Sequence, residues 1–177
     1  SVLDSAESAK ISRIGAVNVL TLIYRHFTPD RQLASHYCGM LAAMGTDSFA
    51  KSAYFEDDTF YPWTKTYTAC AIGQACSNIG EYEKALRWYA LGREKGPQQG
   101  REANWLGFHV AKTTAYLHAN DPYIGITAFD EYLRSTPDDY PKSRAQAFVE
   151  IAALYMRAGD YPSARDFFDE AVSRYPG

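Results

Sequence analysis

Apolar residues recur at steps of three and four along most of the chain. Ala145, Phe148, Ile151, Ala152 and Tyr155 form one such stripe, Gly159 interrupts it, and Ala164, Phe168, Ala171 and Val172 resume it. That period belongs to amphipathic helices, so the segment predicts a helix, a tight turn and a second helix. The unit recurs without gaps. Residues Gly159 to Glu170 align on Asn120 to Glu131 and on Gly80 to Leu91, at steps of 39 and 40 residues. At the three turns, Gly80, Asn120 and Gly159 predict a left-handed residue, which Gly adopts freely and Asn tolerates. Pro97, Pro137 and Pro176 close the second helices, since proline lacks an amide donor and clashes with the preceding turn. The first 60 residues are less regular. Ile11, Ile14, Val17, Leu20 and Ile23-Tyr24 form a stripe ending at Thr28-Pro29-Asp30, and Leu33, Tyr37, Met40-Leu41 and Met44 form another ended by Gly45.

The last unit resembles a tetratricopeptide repeat, whose pattern runs Trp, Leu-Gly, Tyr in the first helix and Ala, Phe, Pro in the second. The matching residues are Phe148, Ile151-Ala152, Tyr155, Gly159, Tyr161, Ala164, Phe168, Ala171 and Pro176. In the first unit Ile72-Gly73, Gly80, Tyr82, Ala85, Tyr89 and Pro97 agree, with Ala69 and Cys76 where bulky aromatics are usual. The middle unit keeps Tyr116, Asn120, Gly125, Phe129 and Pro137, while Lys112-Thr113 replaces Leu-Gly and predicts a first helix shifted in register. The resemblance covers residues 63–177, as repeats over 63–97, 103–137 and 142–177. The extra spacing falls at Gln98 to Glu102 and Asp138 to Arg144, as if the first helices were lengthened at their N-termini. The fold so implied is all-α, a right-handed helical solenoid of three such units. It is preceded over residues 1–62 by a helical hairpin, either a degenerate repeat or a cap, and an acidic aromatic loop. Units of this kind cannot bury their apolar faces alone and are stabilised by stacking.

Net charge is −3 with a sequence pI near 5.8, and no basic stripe interrupts it, so a nucleic-acid partner is not expected. The longest apolar stretch, Ile14 to Tyr24, contains Gly15, Asn18 and Thr21 and is too short and polar to cross a bilayer. Fourteen Tyr, nine Phe and three Trp exceed what a disordered chain carries. Cys38, Cys70 and Cys76 cannot all pair within one chain. They read as small buried hydrophobes, which favours a reducing compartment such as the cytoplasm. The chain begins with Ser and shows no signal sequence, so either a leader has been removed or the chain is an excised piece.

Nothing in the sequence assembles a reaction centre. His26, His36, His109 and His118 lack metal-ligand or general-base spacing, and no phosphate loop, nucleophile turn or zinc pair is present. Neither a cofactor nor a metal is expected, and the enzyme reading has no residue pattern behind it. Phe55 to Trp63 combines three carboxylates with four aromatics but lacks the alternating oxygens and sharp-turn Gly of a calcium loop. It reads as a solvated acidic loop whose aromatics cover the end of a helix. Trp88-Tyr89 and Phe167-Phe168 read as core packing rather than as base-stacking platforms.

What remains is the groove that the resemblance implies. In tetratricopeptide stacks the first helices line a concave face that receives a peptide or a helix. Here those positions are Tyr67, Cys70, Gln74 and Ser77, then Val110, Thr114 and Leu117, then Gln146, Val149, Ala153 and Met156. The cationic clamp by which some family members hold an acidic C-terminal tail is not matched. Its positions hold Cys70, Gln74, Ala111, Gln146 and Glu150, and Glu150 would repel a carboxylate. A neutral groove suits an apolar or amphipathic segment. The expected function is therefore a non-catalytic protein-binding scaffold, with a regulatory or sensor module of a larger signalling protein or transcription regulator as the alternative. The repeat pattern closes at Pro176-Gly177 with no capping helix beyond it. Phe167, about 100° around the helix from the inward Phe168, is expected to face outward and to support self-association through the C-terminal helix.

Overall fold

The computed structural model describes residues 5–26 and 30–175. Among them all regular structure is helical: ten helices and no strand. The chain forms two compact units, Ser1–Leu106 and Gly107–Gly177, and the boundary falls inside one helix. Thr28, Pro29, Pro176 and Gly177, used above as helix breakers or chain ends, lie outside the described residues.

The first unit contains α1 (Ser5–His26), α2 (Arg31–Met44), two single turns α3 (Asp47–Ala50) and α4 (Ala53–Glu56), then α5 (Pro62–Asn78) and α6 (Tyr82–Lys95). Asp30 caps α2, its Oδ1 accepting from the amides of Gln32 and Leu33 at 3.0 Å each. Pro62 stands in the first turn of α5, where its missing amide costs nothing. Packing runs from α1 to α2, from α2 to α5 and from α5 to α6. The two N-terminal stripes hold only in part. Ile14, Val17, Cys38, Leu41 and Ala42 are buried, whereas Ile23 and Leu33 are exposed, and the side chain of Tyr24 lies outside the description.

The acidic aromatic segment is not simply a loop. Phe55 and Glu56 close α4, and Phe55 is buried among Phe49, Tyr54 and Trp88 with ring centroids 4.9 to 5.7 Å apart. The rest of the segment is largely open, at Glu56, Asp58 and Thr59 and at the rings of Tyr61 and Trp63. The turn is held from below by Lys65, which is buried and donates to the carbonyls of Asp57 at 2.7 Å and Phe55 at 3.3 Å. Asp57 is kept ionised below the usual carboxylate range, chiefly because the amide and hydroxyl of Thr59 bond to it.

Helix α7 (Arg101–Leu117) crosses the unit boundary, and α8 (Pro122–Ser135), α9 (Pro141–Ala158) and α10 (Tyr161–Arg174) complete the second unit. One cluster of buried side chains holds that unit together: Phe108, Ala111 and Ala115 of α7, Ile126, Phe129 and Tyr132 of α8, and Ala147, Ile151 and Leu154 of α9. Phe108 meets Phe129 and Tyr132 edge-on, at 5.7 Å in both cases. Arg144 of α9 donates to the carbonyls of Leu133 and Thr136 at the end of α8, and to the hydroxyl of Tyr175.

The turns behave as expected at Gly80 (φ 85°) and Gly159 (φ 80°), but not at Asn120, because no described non-Gly residue has positive φ. There the chain turns through a three-residue stretch instead. The amide of Asp121 donates to the carbonyl of His118 at 2.9 Å, and the carboxylate of Asp121 accepts the Tyr123 amide as the N-cap of α8. A turn closed this way needs no left-handed residue. The middle first helix also keeps its register, since Thr113 is buried at the position of Gly73 and Ala152 while Lys112 reaches outward.

Candidate functional site

Helix α9 separates its residues cleanly by face. Ala147, Phe148, Ile151, Ala152 and Leu154 are buried, while Gln146, Val149, Ala153 and Met156 are exposed, at successive steps of three, four and three. Those steps keep the exposed four on one side of a 3.6-residue helix, giving a neutral stripe about 15 Å long. Val149 is 44% exposed and Met156 49%, so the stripe is apolar surface open to solvent.

Two contacts place α7 beside it. Lys112 Nζ lies 2.8 Å from Glu150 Oε1, and Arg157 donates to the carbonyl of Ala119. Both links join residues 38 apart, so α7 and α9 run parallel and in register. From α7 come Val110, Thr114 and Leu117, all half-buried, with the Thr114 hydroxyl turned back onto the Val110 carbonyl at 2.9 Å. Burial disfavours the charge on Lys112, but its bond to Glu150 and that carboxylate's charge outweigh the loss and raise its pKa above the usual value. Glu150 is therefore a paired group, and its expected repulsion of carboxylates is offset by Lys112. The sequence did hold a signal for the pair. Opposite charges stood one residue short of the repeat spacing, which is the offset between neighbouring first helices.

The first unit gives a narrower surface. Tyr67 is exposed, its ring stacked on Trp105 at 6.2 Å with an interplanar angle of 24°, and its hydroxyl accepts from Asn18 Nδ2 at 2.7 Å. Gln74 and Ser77 are half-buried. Cys70 is fully buried and does not belong to any accessible face. Its helix is enclosed on nearly all sides between residues 65 and 76, so a position that would open to a groove in a helix with two neighbours is closed here. The eleven expected residues thus fall as four in the first unit, three of them reachable, and seven in the second.

No cluster of metal-ligating side chains occurs among the described residues. All three cysteines are buried and free. Burial pushes the Cys76 thiol from the usual 9.0 up to about 11 and that of Cys70 higher still. A thiol whose folded pKa is raised stabilises the protein below the unfolded value, and that contribution falls once the unfolded chain alone loses its proton. Denaturant midpoints are therefore expected to drop steadily from pH 8.5 to 10.5, and less so in Cys70→Ala. Thiol titration of the native protein at pH 7.5 is expected to be slow until denaturant exposes the cysteines. No helix among the described residues is long and apolar enough to cross a membrane. Neither a protein-family model nor a curated protein matches the chain.

Proposed function

We propose that this chain is a non-catalytic scaffold of tetratricopeptide-like repeats, and that its neutral first-helix surface takes up an apolar or amphipathic segment of another protein. The observation that carries this reading is the exposed stripe Gln146, Val149, Ala153 and Met156 on α9, bordered by Val110, Thr114 and Leu117 of α7. The repeat reading is supported by three helix pairs at near-constant spacing, by left-handed Gly80 and Gly159, and by the parallel register of α7 and α9. A stripe with no net charge, whose neighbouring ion pair is internally compensated, favours burial over charge pairing.

Covering the remaining open surface of Val149 and Met156 is worth about 1 kcal/mol each, or roughly fivefold to tenfold in affinity. Selection of displayed random peptides on the intact protein tests this. Enriched peptides are expected to be amphipathic, and Val149→Glu with Met156→Lys should weaken them by roughly a hundredfold while the helical spectrum is unchanged. Binders that ignore both substitutions would move the binding surface elsewhere.

A further inference from the structure

Of the three cysteines and three methionines in the chain, a single one is exposed. Cys38, Cys70 and Cys76 are buried, and Met40 and Met44 of α2 are half-buried. Met156, in the last turn of α9, is 49% exposed. Its sequence neighbour Tyr155 turns another way. Phe167, the ring expected to face outward from α10, stacks on Tyr155 at 5.4 Å and meets Phe148 at 5.9 Å, so it offers no outward surface for self-association. About 100° of helix rotation takes Met156 away from that contact and onto the open stripe with Val149 and Ala153.

Burial also sets which sulfur meets an oxidant. Cysteine attacks a peroxide as the thiolate, and burial, which pushes the Cys76 thiol up to about 11 and that of Cys70 higher still, leaves almost none of that form at neutral pH. A thioether has no proton to lose, so access governs its reaction. We propose that Met156 is the oxidation site of this chain, and that its conversion to the sulfoxide by a peroxide switches off the uptake of apolar segments on the α9 stripe. The inference rests on the binding role proposed above for that stripe. In the step, the Met156 sulfur gives an electron pair to one oxygen of hydrogen peroxide. The O–O bond breaks, an S–O bond forms, and the proton on the transferred oxygen passes to the departing hydroxide, which leaves as water. Sulfur is oxidised by two electrons and the peroxide is reduced. The product sets a strong S–O dipole beside Val149 and Ala153, and an apolar segment seated there would strip its water without supplying a hydrogen-bond donor. Two thiols of a methionine sulfoxide reductase restore the thioether, with a disulfide and water as the other products.

The test treats the intact protein with limiting hydrogen peroxide and maps the added oxygen by mass spectrometry. Met156 is expected to be oxidised before Met40, Met44 and the cysteines, with the thermal melt unchanged, because its side chain stands half in solvent. Oxidation that reaches α2 or a cysteine first would overturn the assignment. The probes for binding are the displayed peptides enriched on the untreated protein. Oxidised protein should hold them about tenfold more weakly or worse, and a mixture of the two reductases, one for each sulfoxide epimer, should recover the loss. Met156→Leu, whatever its own affinity, should bind equally before and after peroxide. If the peptides bind the untreated protein and the sulfoxide leaves their affinity unchanged, the switch is overturned while the scaffold reading stands. If no peptide is enriched on the untreated protein, the scaffold reading fails and the switch fails with it.

Discussion

Gly125→Val is expected to destabilise the second unit by about 3 kcal/mol, the upper end of what overpacking a tight contact costs. A Cβ at Gly125 would stand 2.7 Å from Ala115 Cβ, 3.0 Å from Leu154 Cδ1 and 3.1 Å from Ala115 Cα. Two of those atoms belong to the neighbouring backbone or the first carbon on it, which cannot swing aside as a long side chain can. The sign makes the test decisive. Glycine inside a helix ordinarily costs about 0.5–1 kcal/mol relative to alanine, so Gly125→Ala at an unobstructed position would raise stability. Here it should lower the melting temperature, and Ala115→Gly in the same chain should recover most of the loss. A melting temperature that rises in Gly125→Ala would show that α8 does not approach α7 this closely.

Arg144→Ala should cost a comparable amount, about 3 kcal/mol, read as a lowered denaturant midpoint. Arg144 donates to the Leu133 and Thr136 carbonyls and to the Tyr175 hydroxyl at 2.9 Å, with its side chain only 11% exposed. Hydrogen bonds from a charged donor are worth about 1.5–3 kcal/mol, and removing the donor leaves half-buried acceptors unpaired. Arg144→Lys should recover only part of this, since one ammonium cannot span three acceptors in a planar fork. The ion pair with Asp138 is a separate matter. That carboxylate is almost wholly in solvent, so Asp138→Asn should shift stability by less than about 1 kcal/mol. If Asp138→Asn proved as costly as Arg144→Ala, charge pairing rather than the carbonyl bonds would hold the end of α8.

The candidate surface was legible where one helix has a single buried side. On α9 the positions read as groove are the ones exposed, since a 3.6-residue period fixes which residues share a face once the opposite face is known to pack. On α5 the groove that the resemblance implies takes in Cys70, whereas the reading of the cysteines as small buried hydrophobes is the one that holds, because Cys70 is inside. That helix carries little contrast between its sides and is enclosed by several neighbours, among which Lys65, Thr66 and Thr68 are also buried. Lys112 and Glu150 were each read as a departure from a pattern, and only their 2.8 Å contact shows that the two departures compensate.

What the sequence determined by itself was local: where helices start, where they stop, and that they come in pairs. Prolines in the first turns of α5, α8, α9 and α10, side-chain caps at Asp30, Asp121 and Asp160, and left-handed glycines at 80 and 159 act within a few residues of themselves. Their effect can therefore be read from neighbours along the chain. What only the tertiary structure decided was which side of each helix has a neighbour. Phe167 and Phe168 are chemically identical, adjacent and both half-buried, and about 100° of helix rotation settles that Phe167, the ring expected to face outward, is the one that packs on Tyr155 and Phe148. The burial of an apolar side chain depends on a second helix being there to receive it. The position of that helix is set by every other contact it makes, which no single stretch of sequence records.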